Sequence, residues 1–262
     1  MRILFIGDIV GEPGRAAVVH HLKGLTERHD VDLVIGNCEN AAGGFGITPK
    51  VAESLFETGI HLLTSGNHIW DKKEALDYLD VQSRVLRPAN YPPDVPGRGS
   101  AVVESRSGET VGVLNLQGRA FMPAIDCPFR AAKTEVARLK REARVVIIDM
   151  HAEATSEKNA MGWYLDGDVA AVVGTHTHVQ TADERILPKG TAFITDVGMT
   201  GPTHSVIGVK PEQAINRFLK QMPQKFDPAT GPTQLAAVLL DVDEGSGLAR
   251  SITRIQVHSD HP

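Results

Sequence analysis

Cysteine is scarce in this 262-residue chain, with only Cys38 and Cys127 present. Two thiols are too few for a disulfide framework and suit a reducing compartment, so the cytoplasm is the expected location. Long apolar runs are also missing. Stretches such as Val145 to Ile148 are strand-sized, far short of the roughly 20 residues that cross a bilayer. Residues 1–6 (MRILFI) lead straight into Gly7-Asp8, without the extended apolar region or small-residue cleavage site of a signal peptide. Positive charge is not in excess either: 27 Lys and Arg stand against 32 Asp and Glu, a net charge of -5. That balance disfavours a broad surface for long nucleic acids. Small anionic substrates stay open, because a bound cation reverses the local sign of charge.

What is present is a 42% hydrophobic composition, enough for a sizeable core. Ile3 to Ile6 reads as a buried strand ending at Gly7-Asp8, and Pro13 opens a helix running to about residue 28. The unit repeats. Strand Leu33 to Ile35 is followed by a loop with Gly43, Gly44 and Gly46 and by a helix at Thr48-Pro49, Thr48 as cap and Pro49 in the first turn. Strand His61 to Thr64 leads into Ser65-Gly66-Asn67-His68, with a helix expected from about Lys72.

Three such units predict an α/β fold. Ser100 to Glu104 and Thr110 to Leu116 read as a hairpin around Ser107-Gly108, and Arg130 to Arg141 as a helix. Strands follow at Val145 to Ile148, Val169 to Val173, Ala192 to Thr195, Ala236 to Leu240 and Ile252 to Val257. So many later strands imply a second sheet packed on the first, with helices outside both. Pro88 to Pro96 reads as a rigid connection rather than a linker, leaving a single domain over residues 1–262.

Metal-binding side chains stand just beyond expected strands at Asp8, Glu39-Asn40, Asn67-His68, His151 and His176-Thr177-His178. Loops at the carboxyl ends of strands in open α/β sheets converge on one crevice, so these distant residues can meet. Each piece alone has a plainer reading. Asp8 could cap the next helix, and His176 and His178 could be surface histidines. On an extended or looped backbone, however, residues two apart point the same way and can face one metal cluster. Gly66 serves the turn before Asn67, and Asp149 could orient His151 or merely end a strand.

These motifs resemble the calcineurin-like metallophosphoesterases in Gly7-Asp8, Gly66-Asn67-His68, the isolated His151 and Gly174-Thr175-His176-Thr177-His178. The finer similarity is to the bacterial YmdB-like branch. It rests on Gly7-Asp8-Ile9-Val10-Gly11, Gly36-Asn37-Cys38-Glu39-Asn40, the run from His151 to Lys158, and Asp196-Val197-Gly198-Met199-Thr200-Gly201-Pro202. Two departures from the wider superfamily fit that branch. Val10 stands where the superfamily has a histidine, and Glu39 stands where it has a bridging Asp, with Asn40 placed to supply an oxygen ligand.

The resemblance implies two packed mixed sheets flanked by helices and two divalent or mixed-valence transition-metal ions per subunit. Asp8, Asn40 and His178 would hold one ion, Asn67, His151 and His176 the other, and Glu39 would bridge them. Oxygen and imidazole donors without thiolate suit iron, manganese or zinc, and Cys38 reads as packed rather than metal-bound. Such a pair, roughly 3.5 to 4 Å apart, would supply hydroxide for attack on phosphorus. His68 would be the general acid, worth about 10² to 10⁴ in rate.

The implied substrates are small phosphodiesters, with 2′,3′-cyclic nucleotides the family-level expectation, and the implied assembly a homo-oligomer. The rival readings are a phosphomonoesterase or nuclease using the same site, and a metal- or nucleotide-binding regulatory or scaffold protein with incidental catalysis. Gly11-Glu12-Pro13-Gly14-Arg15 lacks the Lys-Ser/Thr of a P-loop and reads as helix initiation. Trp70 reads as packing under a loop, and His204 as a candidate at the pocket border. Glu153 and Glu157 read as a solvated pair on one helix face. His20, His21, His29, His61, His258 and His261 fit no ligand pattern.

Overall fold

The run Ile3-Leu4-Phe5-Ile6 is buried throughout and forms strand β1 (Arg2–Ile6). After it come β2 (Asp8–Ile9), helix α1 (Gly11–His29), β3 (Leu33–Asn37), α2 (Pro49–Glu57) and β4 (Leu62–Thr64). A 3-10 turn at Asn67–Trp70 then leads to α3 (Ala75–Val81). The middle of the chain supplies β5 (Ser100–Glu104), β6 (Thr110–Gln117), α4 (Pro128–Leu139), β7 (Val145–His151) and α5 (Thr155–Tyr164). The remainder supplies β8 (Ala171–Thr175), β9 (Arg185–Ile186), β10 (Ala192–Ile194), β11 (Met199–Pro202), α6 (Pro211–Lys220), β12 (Thr233–Asp243) and β13 (Leu248–Ser259). The computed structural model describes residues 1–259, so the end of the expected 1–262 domain, His261 included, lies outside the described residues.

The strands form two mixed sheets. One runs β2-β11-β12-β1-β3-β4 with β13 beside β12; in it β1, β3 and β4 are parallel, while β12 is antiparallel to β1. The other runs β5-β6-β7-β8-β10-β9, its β6, β7, β8 and β10 parallel. Alternation along a strand sends neighbouring side chains to opposite faces, and β1 illustrates the result. Ile3 and Phe5 enter a core between the sheets with Ile35, Val113, Ile147 and Val173. Leu4 and Ile6 turn to the other face, against Val18 and Leu22 of α1 and Leu55 of α2. On the far side of the second sheet, Ile148 and Val172 pack with Ala132 and Val136 of α4 and Met161 of α5. Helices therefore flank two packed sheets, as the sequence predicts.

Local signals hold where the chemistry is local. The Thr48 hydroxyl accepts from the Val51 N–H at 3.3 Å, capping α2 with Pro49 in its first turn. Arg87 ties down the Pro88 to Pro96 connection through the carbonyls of Pro88 and Pro96. The helix expected from Lys72 begins instead at Ala75, because Lys72 to Glu74 are spent on turns leaving the 3-10 segment. Helices α5 and α6 and the short strands β2, β9 and β11 go beyond the sequence expectations. Neither helix has a side-chain cap, and Ile215, Phe218 and Leu219 of α6 face outward rather than forming an inward stripe. Among the described residues no helix is long and apolar enough to cross a membrane.

Candidate metal centre

The carboxyl ends of the parallel strands from both sheets meet at one place, as the topology of open α/β sheets requires. The first sheet brings Asp8 after β1, Glu39-Asn40 after β3 and Asn67-His68 after β4, while the second brings His151 at the end of β7 and His176 and His178 after β8. Ligand atoms of Glu39, His151 and His176 lie within 4.8 Å of one another, and so do those of Asp8, Glu39 and His178. Glu39 belongs to both triads. Asn40 sits between them, its amide nitrogen 3.1 Å from Glu39 Oε1 and 3.2 Å from His178 Nε2. A 180° amide rotation exchanges Nδ2 for Oδ1 at that point.

Each histidine has one ring nitrogen engaged outside the centre, which aims the other inward. His151 Nδ1 donates to Thr175 Oγ1 at 2.8 Å, and Thr175 Oγ1 donates to Asp149 Oδ1 at 2.7 Å. Asp149 thus orients the imidazole through a threonine rather than directly. His178 Nδ1 donates to the Ile207 carbonyl at 2.9 Å. His176 Nε2 is 3.2 Å from Glu153 Oε2, leaving its Nδ1 3.1 Å from His151 Nε2. Two inward nitrogens at that separation turn lone pairs toward each other unless a cation or proton intervenes.

The donor set fits a metal by a second observation. Asp8 Oδ1 and Asn67 Oδ1 are buried without a hydrogen-bond partner, a cost of about 1–3 kcal/mol or more for each polar group that a coordinated cation would remove. The charges tell the same story. Burial pushes Asp8 up to about 6 despite His178 and His151. Burial opposes ionisation of Glu39 as well, yet the adjacent His151 holds it down to about 2. Against its own burial, His151 is raised to about 9 by Glu39. Burial and the neighbouring His151 depress His176 to about 3.

His176 and His178 have φ values of 97° and 66°, a looped, left-handed backbone, and their imidazoles fall in different triads that share Glu39. Space at Gly66 requires glycine in addition to the turn: a Cβ there would lie 2.1 Å from His151 Nε2 and 2.4 Å from Glu39 Oε2.

His68 lines a cavity of about 520 Å³ that opens onto the triads. Its backbone N–H donates to Glu39 Oε2 at 3.2 Å, and its Nδ1 lies 2.9 Å from Asp71 Oδ2. Asp71 is absent from the sequence-derived candidates, although a carboxylate three residues after a histidine in a tight turn is a signal that could have found it. Glu153 has a larger role than a solvated helix face. It precedes α5, lines the cavity and meets His176, whereas Glu157 in the first turn accepts from the Arg119 and Ala120 N–H groups. The two do not share a helix face.

Other residues keep the plain reading. Val10, not Asp8, is the N-cap residue of α1, which opens at Gly11 as expected. Burial raises the Cys38 thiol, and neither of the two triads includes it. Trp70 packs edge-to-face on Tyr91 at 5.3 Å and does not line the cavity. His204 is exposed and does not line it either; Val206, Ile207 and Val209 do. His61 accepts from the Val34 N–H, away from the centre.

Comparison with known proteins agrees with this architecture. The profile of the YmdB-like protein family matches residues 4–255. The 2′,3′-cyclic-nucleotide 2′-phosphodiesterase of Bacillus subtilis (strain 168) is 49% identical over 261 residues, covering 100% of this chain and 98% of that protein. A crystal structure of a hypothetical protein from Thermus thermophilus superposes with a TM-score of 0.92 at 45% identity, over 98% of this chain and 99% of the other. That of a novel phosphatase from Mycoplasma pneumoniae gives 0.93 at 38% identity, over 100% and 95%. With its fold and nearly its whole length shared, the chain belongs to the YmdB-like protein family.

Proposed function

We propose that the protein is a binuclear-metal phosphodiesterase acting on small phosphodiesters, with 2′,3′-cyclic nucleotides as the substrate class. The observation that carries this is the pair of donor triads sharing Glu39 beside a cavity that also presents His68. The name of the B. subtilis relative at 49% identity supports the substrate class. Asp8, Asn40 and His178 would hold one ion, Asn67, His151 and His176 the other, with Glu39 between them. The donor chemistry suits iron, manganese or zinc. When bound, such ions supply a water-derived nucleophile at neutral pH and stabilise charge on the phosphoryl oxygens.

The protein's own part is to position and to move a proton. With Nδ1 directed at Asp71 Oδ2 at 2.9 Å, His68 has Nε2 left for substrate. Water adds to phosphorus and gives up one proton to solvent, the bond from phosphorus to the ribose oxygen breaks, and the His68 proton passes to that oxygen, His68 then regaining a proton from solvent. Both sheets contribute to one site, which supports treating residues 1–262 as one metallophosphoesterase domain. We take the chain to be cytoplasmic, from its two unpaired cysteines, and homo-oligomeric, from the family resemblance.

The test is hydrolysis of 2′,3′-cyclic AMP, 3′,5′-cyclic AMP, bis-p-nitrophenyl phosphate and p-nitrophenyl phosphate by metal-analysed protein. Diester turnover is expected to fall about 10² to 10⁴-fold in His68→Ala with metal retained, and to vanish in Asp8→Ala with metal lost. Absence of turnover of any ester by the fully metallated wild type would overturn the reading.

A further inference from the structure

The triads occupy one end of the cavity, and the outer wall has a different chemistry. Phe45 from the loop after β3, Phe218 on α6 and Phe226 beyond α6 line it together with Ile207 and Arg217. The chain has eight phenylalanines and 5% aromatic residues, so three of them gathered from separate segments is a marked concentration. Core packing does not account for it, because Phe218 is 73% exposed and Ile207 54% exposed. The Phe45 ring stands 4.9 Å from the His68 ring, which makes the aromatic wall continuous with the proposed acid. Arg217 is exposed, and among the described residues its guanidinium has no ion pair or hydrogen bond.

Resting on the phosphodiesterase reading, we propose that this wall is a nucleobase subsite, so that the substrate is selected as a nucleoside cyclic phosphate rather than as any small diester. A polar, cation-binding end and an aromatic end in one cavity match the two ends of a mononucleotide. Cavities of roughly 300–1,000 Å³ take ligands of that size, and the volume here is about 520 Å³. A base offers a flat π-face to Phe218 or Phe45, and Arg217 can approach the same face or the base edge. Stacking tolerates every base, because each has such a face. The subsite therefore favours nucleotides over base-free esters without strong choice among bases.

The experiment compares kcat/KM of the manganese-loaded protein for 2′,3′-cyclic AMP, 2′,3′-cyclic CMP and methyl riboside 2′,3′-cyclic phosphate, which has no base. Wild type is expected to favour both nucleotides over the methyl riboside by about ten-fold or more, the scale of one stacked base. Phe218→Ala should erase most of that preference through KM, and Phe218→Trp should restore it. Leu219→Ala lies on the same helix, is 78% exposed and is not part of the cavity wall; it should leave the preference unchanged. Equal kcat/KM for nucleotides and methyl riboside in wild type, or a preference untouched in Phe218→Ala, would overturn the subsite. So would Phe218→Ala and Leu219→Ala both altering solution mass while nucleotide kinetics stay the same, which would assign the face to a second copy of the chain. Calorimetric titration with adenosine separates this proposal from the parent reading. Adenosine binding that weakens in Phe218→Ala supports the subsite even if no diester is turned over, and no adenosine binding by wild type overturns it.

Discussion

Lys158 Nζ lies 2.7 Å from Asp196 Oδ2, with both side chains buried beneath the turn that carries His176 and His178 of the candidate metal centre. The same Asp196 oxygen accepts from the Thr177 N–H at 3.0 Å and the Thr177 hydroxyl at 2.6 Å. Thr177 is flanked by His176 and His178, both at positive φ, a conformation costing on the order of 1–3 kcal/mol per residue unless its surroundings impose it. The buried ion pair is the imposing element. Breaking such a pair by removing one partner costs about 3–5 kcal/mol, because the other charge is left uncompensated. Lys158→Met should therefore lower the melting temperature by about 10 °C and release metal. Calorimetry and elemental analysis read the two effects, and an unchanged metal content would show that the turn holds without the pair.

Gly66→Ala tests the close approach of the Gly66 backbone to His151 and Glu39. The added methyl would fall 2.1 Å from His151 Nε2 and 2.4 Å from Glu39 Oε2, so an imidazole or the shared carboxylate must move. Metal binding should weaken by at least about ten-fold, since misplaced donors lose coordination geometry. A titration of the variant with manganese that matched wild type would count against this account.

Asp71→Asn separates the proposed proton donor from the proposed metal ligands. Asp71 contacts His68 Nδ1 at 2.9 Å and belongs to neither triad. The variant should keep its metal and its KM for 2′,3′-cyclic AMP while kcat falls about ten-fold or more. Asp71→Glu should recover part of that loss. If kcat were unaffected by Asp71→Asn, the carboxylate would have no part in catalysis.

Metal binding should release a proton from His151. In the metal-free centre burial disfavours its charge, but Glu39 outweighs burial and raises the imidazole to about 9, above its ordinary value near 6.5. A group raised on folding contributes stability that is fully present below its unfolded value and is lost as pH rises through the folded value, a window of about 6.5 to 9. A metal displaces that proton. Calorimetric titrations in buffers of different ionisation enthalpy should show about one more proton released per site at about pH 7.5 than at about pH 10. Equal release at both would place the proton elsewhere.

How much of the fold and the site is legible in the chain differs from residue to residue. Ile3 to Ile6 and Val145 to Ile148 announce buried strands because an uninterrupted apolar run of that length suits a parallel sheet covered on both faces. Asp8, Glu39, Asn40, Asn67, His151, His176 and His178 stand out as candidates for a shared site because each lies at or beyond the end of such a strand, and parallel strands present their carboxyl ends at one edge. Both inferences need only local pattern and one rule of topology, so the chain by itself determined the α/β class and the position of the donors.

The tertiary structure decided what depends on pairing across the chain. Lys158 and Asp196 are 38 positions apart and Asp196 and Thr177 are 19 apart, with no local pattern linking them. The left-handed turn at His176 and His178 exists because those distant groups hold it. Likewise Phe218 joins Phe45 at the cavity only because α6 and the loop after β3 both border it. The difference is physical. Side-chain periodicity and strand ends are written into neighbouring residues, whereas a buried charge pair, a strained turn and a shared cavity wall arise from packing between segments that are strangers in sequence.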